Sequence, residues 1–255
     1  MLWIWKRRWK NERSLTLKNM TTHGFIGTGV IGTMLMNRFK GKTIISSNKP
    51  ETNPEVIKQS DIVYLCVRPQ HLEDVYQDLQ GNLEGKLLVT AIAAVECASY
   101  YKQLGDIPLI RITPSLTNII HGSILAHSGV FVTLANRAQM YNRLARIATL
   151  YEVSEKEMDA YAHLSSCSPA VIAAFVREYI RSVNGIDEKK GTDIMVDALL
   201  NTALLLKQDG YKIIDQVCTR EGISRVGADF VSTFPMQSLS DALHERMQYV
   251  KERFG

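Results

Sequence analysis

A parallel-sheet α/β domain followed by an all-helical domain is the architecture this sequence predicts, and three observations carry it. Short apolar, β-rich runs alternate with helical patterns from about His23 to Thr133. From about Asn136 the strand signals stop. Long helical patterns such as Ile194-Ala198-Leu199-Thr202-Ala203-Leu206 take over, interrupted only by Pro169 and Pro235. Early in the α/β part, a glycine-spaced turn, Gly27-Thr28-Gly29-Val30-Ile31-Gly32, stands between a strand pattern and a helix pattern. The boundary falls near Glu152–Ser154, giving domains over 20–153 and 154–255, and a chain of 255 residues can bury a core in each.

The expected strands are Gly24–Ile26, Thr43–Ile45, Ile62–Val67, Leu87–Ile92, Leu109–Ile112 and Gly129–Val132. Continuous apolar strands separated by helices are buried on both faces, which indicates a parallel sheet. The first strand feeds the glycine turn, and Met34-Leu35-Met36-Asn37-Arg38-Phe39 continues as a helix. In that context Gly27 permits the tight turn, Gly29 lets the backbone approach a pyrophosphate, and Gly32 allows close helix–strand packing. The helix start offers free N–H groups and a positive dipole end to phosphates. This is the phosphate-binding turn of a Rossmann-type domain, so a nicotinamide dinucleotide is the expected cofactor.

The second strand ends in Ser46-Ser47-Asn48-Lys49, where an NAD site wants an acid for the ribose 2′-hydroxyl. Hydroxyls, an amide and a cation suit a 2′-phosphate, which favours NADP(H), although Glu51 stands nearby. Residues 48–60 contain Pro50 and Pro54, so the helix between the second and third strands is expected to be a single turn or missing. The third strand runs into Val67-Arg68-Pro69 at the end that should face the cofactor crevice. There Arg68 suits a phosphate or a substrate carboxylate, or is simply a solvated strand-end arginine. Arg111-Ile-Thr-Pro-Ser-Leu-Thr-Asn118 ends a later strand with a proline turn and three hydroxyls.

Charge is concentrated rather than spread. Residues 1–19 hold six basic side chains against Glu12, leaving 24 basic and 25 acidic side chains in the rest. A near-neutral body offers no phosphate-tracking surface, which argues against nucleic acid as a partner. Residues 1–19 also contain all three tryptophans and lack the cleavage pattern of a signal peptide. They are expected to be a disordered extension, or the product of an upstream start with Met20 as the true one, in preference to a membrane-surface anchor. No apolar stretch reaches the roughly 20 residues of a membrane span. Cys66, Cys97, Cys167 and Cys218 are widely spaced, as in a reduced cytoplasmic protein. His121 and His127 lack further ligands, so no metal is expected, and Cys167 near His163 is read as a coincidental pair.

The order Gly24-Phe-Ile-Gly-Thr-Gly29, Asp61 through Cys66-Val67-Arg68-Pro69-Gln70, and Arg111-Ile-Thr-Pro114 resembles the pyrroline-5-carboxylate reductase family. The likeness continues at Ser165-Ser-Cys-Ser-Pro-Ala170, similar to the family's Ser-Gly-Ser-Gly-Pro-Ala helix start. It continues again at Val217-Cys-Thr-Arg-Glu-Gly-Ile-Ser224, similar to its Val-Thr-Ser-Pro-Gly-Gly-x-Thr loop. Arg111–Asn118 and the Ser-Cys-x-Pro-Ala pattern look closest to the late-competence branch of the family. The resemblance implies NADPH held by Gly27 to Gly32, Asn48, Lys49 and Cys66 to Pro69. It implies Ser224 beside the pyrroline nitrogen, and Thr219, Gly222 and the helix start at Pro169 around the substrate carboxylate. It also implies a homodimer through the helical domain, or a higher assembly built on one.

Five positions depart from the family pattern. Glu221 replaces a glycine, Ser166 and Ser168 replace two more before Pro169, Ala94 replaces a glycine near the cofactor, and Ser115 replaces an asparagine. The implied activity is therefore reduction of 1-pyrroline-5-carboxylate to proline. The alternative is a non-catalytic or regulatory paralogue that keeps the fold and the cofactor. A β-hydroxyacid-type dehydrogenase is disfavoured, because Pro169–Val176 lacks that group's lysine.

Overall fold

The computed structural model describes residues 21–39 and 43–254, so the expectation for residues 1–19 lies outside it. Packing divides these residues into two compact units. The first runs to Ile112 and resumes over Ser128–Ile147; the second comprises Thr113–His127 and the chain from Ala148 onward.

In the first unit the elements are β1 (Thr22–Ile26), α1 (Val30–Arg38), β2 (Thr43–Ser47), α2 (Asn53–Gln59), β3 (Ile62–Leu65), α3 (Leu72–Leu79), β4 (Leu87–Thr90), α4 (Cys97–Leu104), β5 (Leu109–Pro114) and α5 (Leu134–Leu144). The five strands are parallel in the order β2-β1-β3-β4-β5. Every residue of β3 and β4 is buried, which is why these segments read as unbroken apolar runs rather than alternating ones. Ile57, Leu65, Val75, Leu79, Val95 and Tyr100 belong to a single apolar cluster. Phe25, Phe39, Tyr64 and His23 form an aromatic group, with the Phe25 and Tyr64 rings stacked at 4.4 Å.

His23 is wholly buried and hydrogen-bonded at both ring nitrogens. A guanidinium can only donate, so Arg143 Nη1 donates to Nε2 at 2.8 Å. Nδ1 then carries the hydrogen and donates to Tyr64 Oη at 3.0 Å. The Tyr64 hydroxyl points on to Met140 Sδ at 3.6 Å, and Arg143 Nη2 donates to Thr21 Oγ1 at 2.8 Å. The chain thus pairs the buried polar groups at the foot of β1.

The second unit contains β6 (Ser123–Ser128) and β7 (Thr149–Glu152), which pair in parallel. Helices follow: α6 (Glu155–Ala162), a π-helical turn over His163–Cys167, α7 (Ser168–Ser182), α8 (Glu188–Asp209), α9 (Lys212–Val217), α10 (Ile223–Ser232) and α11 (Met236–Phe254). A capping box starts α6, with the Glu157 carboxylate accepting from Ser154 N at 3.0 Å and Ser154 Oγ at 2.6 Å. Those bonds hold the Glu157 carboxyl below its usual range. On α7, α8 and α10 large apolar side chains remain exposed, among them Phe175, Leu200, Leu204, Val226 and Phe230. Among the described residues no helix is long and apolar enough to cross a membrane.

The expected α/β class with a following helical region is what the chain forms, but three elements differ from expectation. The expected strand at 129–132 is instead irregular, with a turn at residues 130–131, and the strand lies earlier, at Ser123–Ser128. Strand β7 was not expected, because its four residues are largely exposed and lack an apolar run. Two-turn α2 occupies the segment expected to hold one turn or none. Pro54 sits in its first turn, where an N–H would have no partner in any case.

Candidate functional site

Gly27 ends β1 with φ at 93°, a left-handed value open to glycine. A Cβ there would stand 2.8 Å from Cys66 C and Val67 N, so the turn also needs glycine for space. Its N–H donates to Ser47 O at 2.9 Å, tying the turn to the end of β2. Gly32 faces the same restriction: a Cβ would lie 2.1 Å from Gly27 O and 3.2 Å from Cys66 Cβ. Helix α1 can therefore begin directly over the strand end.

Gly29 is different. It is the N-cap of α1 with ordinary φ and ψ, no side chain caps the helix, and no described atom lies within 4 Å of where its Cβ would be. The first-turn amides thus face open space, and Val30 is left 68% exposed at the helix start. Thr33 Oγ1 donates to Thr28 O at 2.9 Å and holds the turn's outer corner. A cradle with no Cβ, uncapped amides and a positive dipole end fits a pyrophosphate.

Beside it the β2–α2 connection is folded by a compact polar group. Ser47, 2% exposed, has its Oγ 2.7 Å from Lys49 O and from Asn53 Oδ1, and 2.6 Å from Thr52 Oγ1. Asn53 Nδ2 donates to Asp78 Oδ2 at 2.8 Å, joining the group to α3. Asn48 and Lys49 are thereby left exposed at the rim. A cleft of about 230 Å³ opens here, lined among others by Gly27, Asn48, Lys49, Val67, His71 and Asp74.

The geometry brings Gly27, Asn48, Lys49 and Val67 onto one cleft. Cys66 lies against the glycine turn, and burial pushes its thiol up to about 12, so it is packing rather than a nucleophile. Arg68 is exposed at the start of the short 3₁₀ turn Pro69–His71 and does not line the cleft. His71 and Asp74 were not anticipated from sequence, because they come from the turn after β3 and from α3 rather than from the glycine motif. Ala94 holds φ at 62° while buried, a conformation costing an alanine about 1–2 kcal/mol. Ser115 caps the 3₁₀ turn Leu116–Ile119, its N–H donating to Asn118 Oδ1 at 2.7 Å.

In the second unit, Pro169 falls in the first turn of α7. The chain enters that turn through the π-helical segment rather than from an open loop. A proline removes one intrahelical bond, and a widened turn accommodates the loss. Ser166 Oγ donates back to Ala162 O at 2.9 Å, and Ser168 Oγ to Leu164 O. Both serines are therefore folded onto their own helix. Ser165 Oγ and His163 Nε2 are buried with no hydrogen-bond partner among the described residues, so His163 is not paired with Cys167.

Thr219, Gly222 and Ser224 share the turn that opens α10. Gly222 is its uncapped N-cap, and Gly222 N donates to Thr219 O at 3.0 Å. A Cβ on Gly222 would lie 2.3 Å from Thr219 Oγ1. Ser224 and Glu221 are exposed there, and Arg225 is paired with Asp215 at 3.1 Å.

Residues 155–253 match the pyrroline-5-carboxylate reductase dimerisation family, and residues 42–94 match the family described as NADP oxidoreductase, coenzyme F420-dependent. The chain is 23% identical over 220 residues to a pyrroline-5-carboxylate reductase of Corynebacterium melassecola, covering 75% of this chain and 82% of that protein. Its fold is similar to the 1-pyrroline-5-carboxylate reductase of Streptococcus pyogenes, with a TM-score of 0.83 and 22% identity over 92% of this chain and 99% of that one. It is also similar to a Plasmodium falciparum pyrroline carboxylate reductase solved with NADP bound, with a TM-score of 0.79 and 18% identity over 91% and 96% of the two chains.

Proposed function

This chain belongs to the pyrroline-5-carboxylate reductase family, and we propose that it reduces 1-pyrroline-5-carboxylate to proline with NADPH. The observation that carries this reading is the glycine turn. Its uncapped helix end and Cβ-free approach at Gly29 suit a dinucleotide, and the dimerisation-family match follows it in the chain.

When bound, NADPH supplies the hydride for the C=N carbon. The chain's own residues position the reactants. Thr28 to Gly32 present amides to the pyrophosphate, with Gly27 shaping the turn beneath. Asn48 and Lys49 receive the 2′-phosphate, and Val67 lines the cleft on the adenosine side. Thr219, Gly222 and the α7 start at Pro169 orient the substrate carboxylate. Ser224 holds a hydrogen bond at the ring nitrogen, where the imine takes its proton from water. A reaction of this kind needs orientation and a donor more than a strong buried acid. The exposed apolar side chains of α7, α8 and α10 support a homodimer formed through the helical region, and the separated, free cysteines suit the cytoplasm.

The second reading, a late-competence-type paralogue without turnover, is favoured by Glu221, a carboxylate on the loop assigned to a carboxylate substrate. Ser166 and Ser168 no longer support it, since both are folded back onto helix carbonyls. Following NADPH absorbance with pyrroline-5-carboxylate separates the two. Turnover that is lost in Ser224→Ala supports the reductase. NADPH binding without turnover, restored by Glu221→Gly, supports the paralogue.

A further inference from the structure

The cleft beside the glycine turn has a second wall. Lys49 and Asn48 come from the end of β2, while His71 and Asp74 come from the turn after β3 and the first turn of α3. All four side chains are exposed toward solvent. We propose that His71, opposed by Asp74, makes the preference for NADPH over NADH in this chain depend on pH. The proposal rests on the assignment of the cleft to the adenosine ribose of the cofactor.

The charge balance of the lining carries the inference. With His71 neutral, Lys49 and Asp74 contribute one charge of each sign. A 2′-phosphate then gains little, and Asp74 is the kind of acid that suits the unphosphorylated ribose hydroxyl of NADH. With His71 protonated, the lining holds two cations against one anion, and a charged donor faces the phosphate. Histidine is the side chain that changes charge between about pH 5 and 8.

The other charged groups near this segment do not offset the change. Asp78, one turn further along α3, accepts from Asn53 Nδ2 and belongs to the floor. Glu51, Arg68 and Glu73 lie next to these residues in sequence but outside the lining. Because the groups are exposed, the effect is moderate and weakens with salt.

The test is a fluorescence titration of the full chain with NADPH and with NADH at about pH 6 and about pH 8. The phosphate itself gains charge over this interval, so the readout is the ratio of the two dissociation constants, compared between wild type and His71→Gln. The proposal predicts that wild-type preference for NADPH falls about threefold to tenfold on going to the higher pH, relative to His71→Gln. It predicts that His71→Lys keeps the preference at both pH values, and that Asp74→Asn raises it at both. The same pH dependence in wild type and His71→Gln overturns the proposal while leaving NADPH binding in place. So does an equal loss of NADPH and NADH affinity in His71→Gln, which would make His71 a contact to the adenine. Failure of either cofactor to bind the wild-type chain would instead overturn the cofactor assignment itself.

Discussion

Replacing Gly29 with alanine adds one methyl group at the point where ligand binding and folding are most cleanly separable. The residue has φ −66° and ψ −167°, which alanine adopts without strain, and no described atom lies within 4 Å of the new carbon. Alanine is a poorer N-cap than glycine, at a cost of about 0.5–1 kcal/mol, but it also lowers the entropy of the unfolded chain by a similar amount. The folded protein should therefore melt within about 2 °C of wild type. A pyrophosphate held by the α1 amides would have to move away from the added methyl. Losing one such charge-assisted hydrogen bond, about 1.5–3 kcal/mol, weakens NADPH binding roughly tenfold to hundredfold. Gly32→Ala gives the contrasting result. Its Cβ would stand 2.1 Å from Gly27 O, and because a backbone carbonyl yields only with the whole turn, stability should fall by about 1–3 kcal/mol. Thermal melting with and without NADPH, for both variants, reads the two effects. Unchanged NADPH affinity in Gly29→Ala would show that the turn is not the pyrophosphate cradle.

Three further outcomes follow from the packing. Burial raises the Cys66 thiol from 9.0 to about 12 and the Tyr76 hydroxyl from 10.0 to about 12, and it raises Tyr64 and Tyr100 as well. The unfolded chain releases these protons first, so their contribution to stability is complete below about pH 9 and is lost as pH rises toward about 12. Urea midpoints at about pH 8 and about pH 10.5 should show a clear drop, and equal midpoints would contradict it. His23→Ala should cost about 2–4 kcal/mol, because Arg143 and Tyr64 each lose a buried partner; a change under about 1 kcal/mol in denaturant unfolding would refute the bonding scheme. Leu204→Asp, on a side chain 66% exposed on α8, should convert a dimer to a monomer of unchanged helicity by light scattering. A wild-type monomer, or a variant of unchanged mass, would remove α8 from the interface.

How much of this was legible in the sequence depends on what each signal reports. Strands β3 and β4 announce themselves because burial on both faces makes them almost wholly apolar, without the alternation of a half-exposed strand. Strand β7 does not, because its short, mostly exposed residues carry no such pattern. Prolines 50 and 54 suggested a broken connection, yet proline at a helix start costs nothing, and α2 forms behind them. The tight turn at Gly27 and the close packing at Gly32 were readable from the motif. The other wall of its cleft was not: His71 and Asp74 reach it only because β3 lies beside β1, a juxtaposition that motif spacing does not encode. Likewise the serines before Pro169 stood in the sequence only as departures from the family pattern, and the structure shows their hydroxyls directed back to Ala162 and Leu164.

The most direct test of the proposed reductase activity is a product measurement on the full chain supplied with 1-pyrroline-5-carboxylate and NADPH. Proline should appear mole for mole with the NADPH consumed, and both should stop in Ser224→Ala. NADPH that binds but is not consumed, with no proline formed, would contradict the proposal and leave a dinucleotide-binding relative that does not catalyse.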